Sequence, residues 1–385
     1  MVRDSTKLTP IFFLKMGGDP HFNTPLHSIE FLILQPSRIA VVIELMKKTR
    51  TGVLVMQLGT PDSPATKDVR RYLREFLMDP RVIDVPYILR QILVNGIIAN
   101  FRAPKSAKLY REIWTDQGSP LLIYGKSVKE KLQHMLGDDY QVELGMRYRK
   151  PSMKEAVRRF KTAKVDKIVL LPLFPQFASS STGSATEYAL REISSWQFIP
   201  ELKVIGSYYN DPGFLNLWIE KGRQMQIENY DTVMFTFHGV PWRHIRTSGC
   251  AGTCQKGPTD CPIIHPDNHV CYRAQCFTSA KAVIEALQIP KDKAVITFQS
   301  RLGKDPWLTP YTDKTLIDLA ESGKKKVLVF SMAFVADCLE TIHEVGAEYQ
   351  ELFEEHGGEK VQLIPSLNDD ESWIKFLYEM VTSPR

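Results

Sequence analysis

The chain has 385 residues, 43% of them apolar and 24% charged, with a formal net charge of +5. That balance excludes a disordered, collagen-like or coiled-coil chain. The small positive excess, without any Arg/Lys block, excludes a non-specific nucleic-acid binder. No apolar run reaches the ~20 residues of a membrane span, and a chain of this length is expected to fold as two domains.

Residues 1–45 carry four basic and four acidic side chains and two apolar patches, Ile11–Leu14 and Ile29–Leu34. They lack the ordered regions of a signal peptide and the low acidity of a transit peptide. Met46-Lys47-Lys48-Thr49-Arg50 then leads directly into an apolar strand. Met1–Leu45 is therefore expected to lie outside the fold, as a loose tail or an extension upstream of the natural start. Without an export signal, the cytoplasm is the expected compartment.

Beyond Met46, apolar β-branched runs predict strands at Val53–Leu58, Gln141–Met146, Lys167–Leu173, Leu202–Ser207, Thr232–Phe237, Ala294–Gln299, Lys326–Met332 and Val361–Pro365. Helical periodicity lies between most of them, at Ser127–Leu136, Ser152–Lys161, Phe214–Glu228, Ser279–Leu287, Lys314–Glu321 and Ala336–Glu355. Apolar strands alternating with helices mean parallel sheets covered on both faces. The strands divide four and four around the turn Tyr208–Gly213. The expected fold is thus two similar doubly wound α/β domains, 46–210 and 211–385, with a single (β/α) barrel as the alternative. Ligands of open sheets sit at the carboxyl ends of the strands, in a crevice.

Chemistry collects at those ends. Strand Thr232–Phe237 runs into His238-Gly239-Val240-Pro241, where Gly and Pro turn the chain and leave the imidazole at the rim. Neutral imidazole serves as a metal ligand or a proton acceptor; a core histidine held by a backbone partner is the alternative. After strand Lys326–Met332, Glu340, Glu344 and Glu348 stand at i, i+4 and i+8, which on an α-helix is one line of carboxylates. Like charges so placed cost ~0.2–0.5 kcal/mol per pair. The row is either a solvated acidic face or a path for cations or protons. Val85–Phe101 is apolar except for Arg90, Gln91, Asn95 and Asn100. It reads as a buried helix or as an amphipathic lip that touches a membrane or a large apolar ligand. Arg102 and Lys105 edge it with cations, which suits a flat, greasy ligand bearing carboxylates.

Five of the six cysteines fall within 27 residues: Cys250, Cys254, Cys261, Cys271 and Cys276. Such clustering in a large chain reads as a metal site and not as a disulfide framework. Four thiols suit an Fe–S cluster or zinc, the latter aided by His244, His265 and His269.

Taken in order, several segments resemble ferrochelatases, which insert Fe2+ into a porphyrin. They are Gln57–Pro61, Phe76–Asp84, Gly145–Tyr148, Leu173–Phe177, Ser181–Ser184, Phe237–Pro241, Gln299–Gly303, Pro306–Leu308 and Leu339–Thr341. The resemblance runs from about Thr51 to Leu377. It implies two α/β domains with a porphyrin cleft between them, and protoporphyrin IX and Fe2+ as substrates. It implies that His238 and Glu340 are catalytic and hold the iron. Glu344 and Glu348 form a proton or metal path. Leu58, Arg102, Tyr110, Ser119, Arg147 and Tyr148 contact the porphyrin. It further implies a [2Fe–2S] cluster on Cys250, Cys254, Cys261 and Cys271, with Cys276 as an alternative ligand. Ser179 stands where animal members supply a ligand, so the cluster would be held wholly by the internal segment. Coproporphyrin or a corrin precursor as substrate, or a non-catalytic tetrapyrrole or metal carrier, are the competing functions. Retention of both His238 and Glu340 speaks against a carrier.

Overall fold

Each predicted strand forms, because each is a short apolar run closed by turn residues. The computed structural model describes residues 50–247, 264, 266, 268–301, 303 and 305–383. The expected N-terminal extension and Cys250, Cys254, Cys261 and His265 lie outside the described residues. The strands are β1 (Thr51–Gly59), β2 (Tyr140–Tyr148), β3 (Lys167–Pro172), β4 (Glu201–Val204), β5 (Thr232–His238), β6 (Ala294–Gln299), β7 (Lys326–Phe330) and β8 (Lys360–Leu363). The α-helices of the first half are α1 (Thr66–Leu77), α2 (Tyr87–Gln91), α3 (Ala99–Ile113), α4 (Pro120–Leu136), α5 (Met153–Ala163) and α6 (Ser184–Ser194). Those of the second are α7 (Pro212–Arg223), α8 (Trp242–Thr247), α9 (Tyr272–Ala286), α10 (Thr312–Glu321), α11 (Tyr349–Glu355) and α12 (Glu371–Thr382). Three stretches, Ile92–Ile98, Ser179–Gly183 and Glu340–Glu348, wind as π-helices.

Two parallel four-stranded sheets result, ordered β2-β1-β3-β4 and β6-β5-β7-β8. The barrel alternative is thereby excluded. Val53 pairs with Val142 on one side and Val169 on the other, and Val233 likewise with Ala294 and Leu328. The first strand of each half is thus central, and its side chains are covered on both faces. One face of β1 (Val53, Val55) shares a core with the matching face of β5 (Val233, Phe235). The other face of β1 packs Leu54 and Met56 on Met153, Phe160 and Ala185 of α5 and α6. Met234 of β5 similarly meets Leu316, Val345 and Phe353. Phe235 stacks on Phe330 with ring centroids 4.6 Å apart, so truncating Phe235 to Ala would cost about 3–5 kcal/mol.

The last helix ties the halves together. Lys203 of β4 gives its ammonium to the carbonyls of Met380, Val381 and Ser383 at 2.7, 3.1 and 2.7 Å. A cation at a helix C-terminus satisfies the unpaired carbonyls there. On α4, Ser127 and Lys131 hold Asp369, the residue before the α12 cap, at 2.5 and 2.7 Å.

The segment Val85–Phe101 is an amphipathic lip and not a buried helix. Tyr87, Ile88, Leu89, Ile92, Ile97 and Phe101 are exposed, Ile88 and Phe101 by 73% each. Val94, Ala99, Ala103 and Ala107 are buried, and α3 packs on α1. Arg90 faces inward and donates to the carbonyls of Ile83 and Val85 at 2.9 and 3.0 Å.

Candidate active site

His238 closes β5 and is half-buried. Gly239 must follow it. A Cβ there would lie 2.9 Å from the Ser300 carbonyl and 3.0 Å from that of Gln299, so only glycine lets the two strand ends approach. The His238 Nδ1 lies 2.6 Å from the Gly239 carbonyl. A carbonyl only accepts, so Nδ1 carries the proton and the lone pair of the neutral ring resides on Nε2. Tyr272 of α9 fixes the backbone by donating to the His238 carbonyl at 2.8 Å. Trp307 and Phe334 flank the imidazole, with centroids at 6.5 and 6.3 Å. His238 is thus a half-buried residue at a strand end, with one ring nitrogen on a backbone partner.

Phe334 lies on the loop that leads from β7 to the carboxylate row. The row is π-helical from Glu340 to Glu348, with i→i+5 bonding in place of the expected α-helical line. Its three carboxylates have three different environments. Glu340 begins the segment beside Cys338, Tyr72 and Tyr110. Burial raises the thiol and both phenols, and the Glu340 charge raises them further. Leu339 joins Leu58, Tyr148 and Tyr110 in one apolar cluster, which brings the Glu340 segment against the first half.

Glu344 is held on every side. Ser300 donates to its two oxygens at 2.9 and 2.7 Å, Gln299 at 3.2 Å and Tyr349 at 2.9 Å. Ser300 adopts a left-handed φ of 59° directly after β6, a conformation that costs energy in any residue but glycine. Thr236 donates to the side-chain Oε1 of Gln299 at 3.3 Å, which turns the amide Nε2 toward Glu344. Burial pushes the Tyr349 phenol up, and the Glu344 charge adds to this. Glu348 is exposed. Local desolvation and then the Glu344 charge raise its carboxyl above the ordinary range.

In the first half, Arg147 and Tyr148 end β2 and converge on a residue that motif reading did not single out. Asp79 is buried, and its Oδ2 receives Arg147 at 2.5 Å, Tyr148 at 3.0 Å and the Ser184 hydroxyl. Its Oδ1 takes the Arg81 N–H at 2.8 Å. Burial alone would raise the Asp79 carboxyl; bonds from Ser184 and Arg81 and the Arg147 charge outweigh it and hold it low. Tyr148 is itself fully buried, so its hydroxyl serves Asp79. The sequence signal for this hub was the acidic residue inside Phe76–Asp84.

The remaining candidates divide. Leu58 is part of the apolar wall. Tyr110 is buried, edge-on to Tyr72 with centroids 6.3 Å apart. Ser119 is buried and accepts from Thr60 at 2.9 Å. Arg102 lies exposed on α3. Among the described residues, no three His, Cys, Asp or Glu side chains gather as a metal site. Cys271 and Cys276 are fully buried, at the N-cap and within the second turn of α9.

A strand-end imidazole, a row of carboxylates and an apolar cluster thus belong to one α/β fold of two parallel sheets. The ferrochelatase family model matches residues 50–384. A ferrochelatase of Legionella pneumophila (strain Corby) is 42% identical over 332 residues, covering 86% of this chain and 98% of that one. A ferrochelatase of Coxiella burnetii (strain Dugway 5J108-111) is 40% identical over 350 residues, covering 90% and 97%. Among solved structures, SirB from Bacillus subtilis with Fe3+ aligns at a TM-score of 0.46 and 10% identity, over 86% of this chain and 94% of that one. The chain belongs to the ferrochelatase family.

Proposed function

We propose that the chain inserts Fe2+ into protoporphyrin IX, giving protohaem and two protons, with His238 and Glu340 as the reacting pair. Family membership gives the reaction class: a lyase of haem biosynthesis that chelates metal into a porphyrin. The observation that carries the residue roles is the contact between His238 Nδ1 and the Gly239 carbonyl. With Nδ1–H committed to the Gly239 carbonyl, only Nε2 can take a pyrrole proton or bind iron.

A free porphyrin is flat and holds two N–H protons. Insertion requires a pyrrole lone pair to face the ion, both protons to leave and the hydrated ion to shed water. The apolar wall around Leu58 and Leu339 offers the macrocycle a surface, and binding along that wall can offset the strain of bending the ring. Glu340 opens the carboxylate row beside the tyrosine wall. Glu344, fixed by its donors, holds a negative charge in place, and Glu348 at the exposed end passes protons to water. Arg102, Tyr110, Ser119, Arg147 and Tyr148 complete the porphyrin wall, the last two through Asp79.

The test is a spectral assay under anaerobic conditions with protoporphyrin and Fe2+, or Zn2+ as a surrogate. Wild-type protein converts the free-porphyrin bands to the metalloporphyrin spectrum. His238→Ala binds porphyrin without converting it. Turnover by His238→Ala at the wild-type rate would refute the assignment. Coproporphyrin run in parallel sets the substrate preference.

The internal cysteines are proposed to hold a [2Fe–2S] cluster through Cys250, Cys254, Cys261 and Cys271. Cys271 suits a ligand, being fully buried at the head of α9, where helix N–H groups favour a thiolate. Cys276, fully buried in the second turn of α9, is the alternative fourth ligand. The insertion moves no electrons, so such a cluster would stabilise or sense. Zinc is the alternative, and metal analysis separates the two. We further propose domains divided near Asn210, a cytoplasmic location, and peripheral membrane contact through the lip. The exposed apolar side chains of Tyr87–Phe101 support that contact. No described helix is long and apolar enough to cross a membrane.

A further inference from the structure

The lip is fastened at both ends to the other half of the molecule. At its root, Asp84 receives Arg243 of α8. Arg243 Nε lies 2.8 and 2.9 Å from the two Asp84 oxygens, and Nη2 lies 2.8 Å from Oδ1. The remaining prong of Arg243 reaches Asp305, on the loop that carries Trp307 beside His238. Arg90 binds the carbonyls on either side of Asp84, so the anchor is rigidly tied to the first helix of the lip. At the far end, Glu112 in the last turn of α3 lies 3.0 Å from Nδ1 of His343. His343 sits on the π-helical segment between Glu340 and Glu344.

We infer that these two pairs, Asp84–Arg243 and Glu112–His343, pin the strap Val85–Ile113 across the cleft and that their release admits and discharges the macrocycle. The inference rests on the porphyrin reading of the site. Three observations support it. The strap packs Val94, Ala103, Ala107 and Tyr110 against Tyr148, Leu58 and Leu339, so it covers the apolar wall that the ligand would occupy. Both pins join the half that bears the wall to the elements that bear His238 and Glu340. Both carboxylates are partly solvated, 38% exposed for Asp84 and 44% for Glu112. Exposed pairs of this kind are weak enough to break during each turnover. A hydrophobic seal without them would open only by exposing its whole inner face. The pins let the ends be set independently of the greasy middle. Asp84, Arg243, Glu112 and His343 are positioning residues in this account, since they act through the strap and the Glu340 segment.

The experiment follows protoporphyrin binding and zinc-protoporphyrin release by stopped-flow fluorescence on the full chain. Asp84→Ala and Glu112→Ala should each speed both steps roughly threefold, and the double variant roughly tenfold, as exposed pairs of this strength imply. Asp84→Glu, which keeps a carboxylate for Arg243 and leaves the Arg243–Asp305 pair in place, should stay near the wild-type rate at the root. Asp84→Asn and Glu112→Gln preserve packing and should show the same direction should the Ala variants fold poorly. Faster exchange in variants with a wild-type melting temperature supports the pins. Folded variants that exchange the macrocycle at the wild-type rate overturn them. So does a loss of kcat with unchanged exchange, which would assign the pairs to chemistry. Wild-type protein that binds no porphyrin would instead refute the functional reading.

Discussion

Replacing Asp79 by Asn tests whether the far wall of the cleft is held by one buried carboxylate. The change is nearly isosteric, yet the geometry predicts that it is not mild. Arg147, Tyr148 and Ser184 all direct donors at the same oxygen, Oδ2, while the Arg81 N–H occupies Oδ1. An amide nitrogen at the Oδ2 position would face those donors. The flipped amide would meet the Arg81 N–H instead. The side chains of Asp79 and Arg147 are only 3% and 14% exposed. Removing one partner of a buried pair costs about 3–5 kcal/mol, and we expect about 3 because Arg147 keeps some solvent. At ~2–4 °C per kcal/mol, the melting temperature should fall by roughly 6–12 °C. Thermal unfolding followed by circular dichroism measures it. Arg147→Met in the same background should recover part of the loss, since the orphaned charge is then gone. The pH dependence carries a sign. The Asp79 carboxyl is held below its ordinary value, so its contribution is full above the unfolded carboxylate pKa of ~3.9. It fades as pH falls through the depressed folded value. The gap between wild type and variant should therefore be constant from about pH 5 to 8 and close below about pH 4. A variant within about 1 kcal/mol of wild type at neutral pH, or a gap that widens in acid, would refute the reasoning.

Other outcomes follow from the same geometry. Gly239→Ala places a Cβ 2.9 Å from the Ser300 carbonyl, so it should cost about 1–3 kcal/mol of stability. By displacing His238 it should also lower kcat more than porphyrin affinity, which steady-state kinetics would show. Ser300→Ala removes two contacts to Glu344. Charge-assisted bonds are worth about 1.5–3 kcal/mol, so insertion should slow about tenfold or more while porphyrin binding, read by fluorescence titration, stays within about twofold. Anaerobically purified protein should absorb in the visible and bleach on reduction, and Cys271→Ser should lose that colour. Colourless protein with stoichiometric zinc would eliminate the cluster.

The strands were legible because burial on both faces leaves an unbroken apolar run, as in Val53–Met56 and Thr232–Phe237. Legibility was poorer where tertiary contacts decide. The residues Glu340 to Glu348 carry an α-helical spacing, and nothing in it signals i→i+5 winding. The segment meets Ser300, Tyr349 and α3, partners that lie far away or beyond it in sequence. The lip looked equally suited to a core and to a surface, since composition does not say which face meets solvent. Arg90, one of the four polar residues that interrupt it, is turned inward. At the site, position marked His238 and the Glu340 row as candidates, and the family resemblance supplied their expected roles. Asp79 could not be marked in that way, because its importance comes from three donors contributed by β2 and α6. Tyr148 was expected at the ligand, and the bond from its hydroxyl to that carboxylate was not legible in the sequence.

The matching strand orders of the two sheets have a counterpart at their tips. Each central strand ends at a glycine pressed against the last residues of its neighbour, Gly59 on Tyr148 and Gly239 on Gln299 and Ser300. Each neighbour is followed by a non-glycine residue at positive φ, Arg149 and Ser300. Each third strand leads to a π-wound turn, Ser179–Gly183 and Glu340–Glu348. By this correspondence Leu58 occupies the place of His238, and a run of serines the place of the glutamates. One framework was used twice, with the reactive groups written into a single copy. Under the proposed function, a planar guest held between the copies would meet hydrocarbon on one side and Brønsted bases on the other, so its two sides would become chemically inequivalent although the guest itself does not distinguish them.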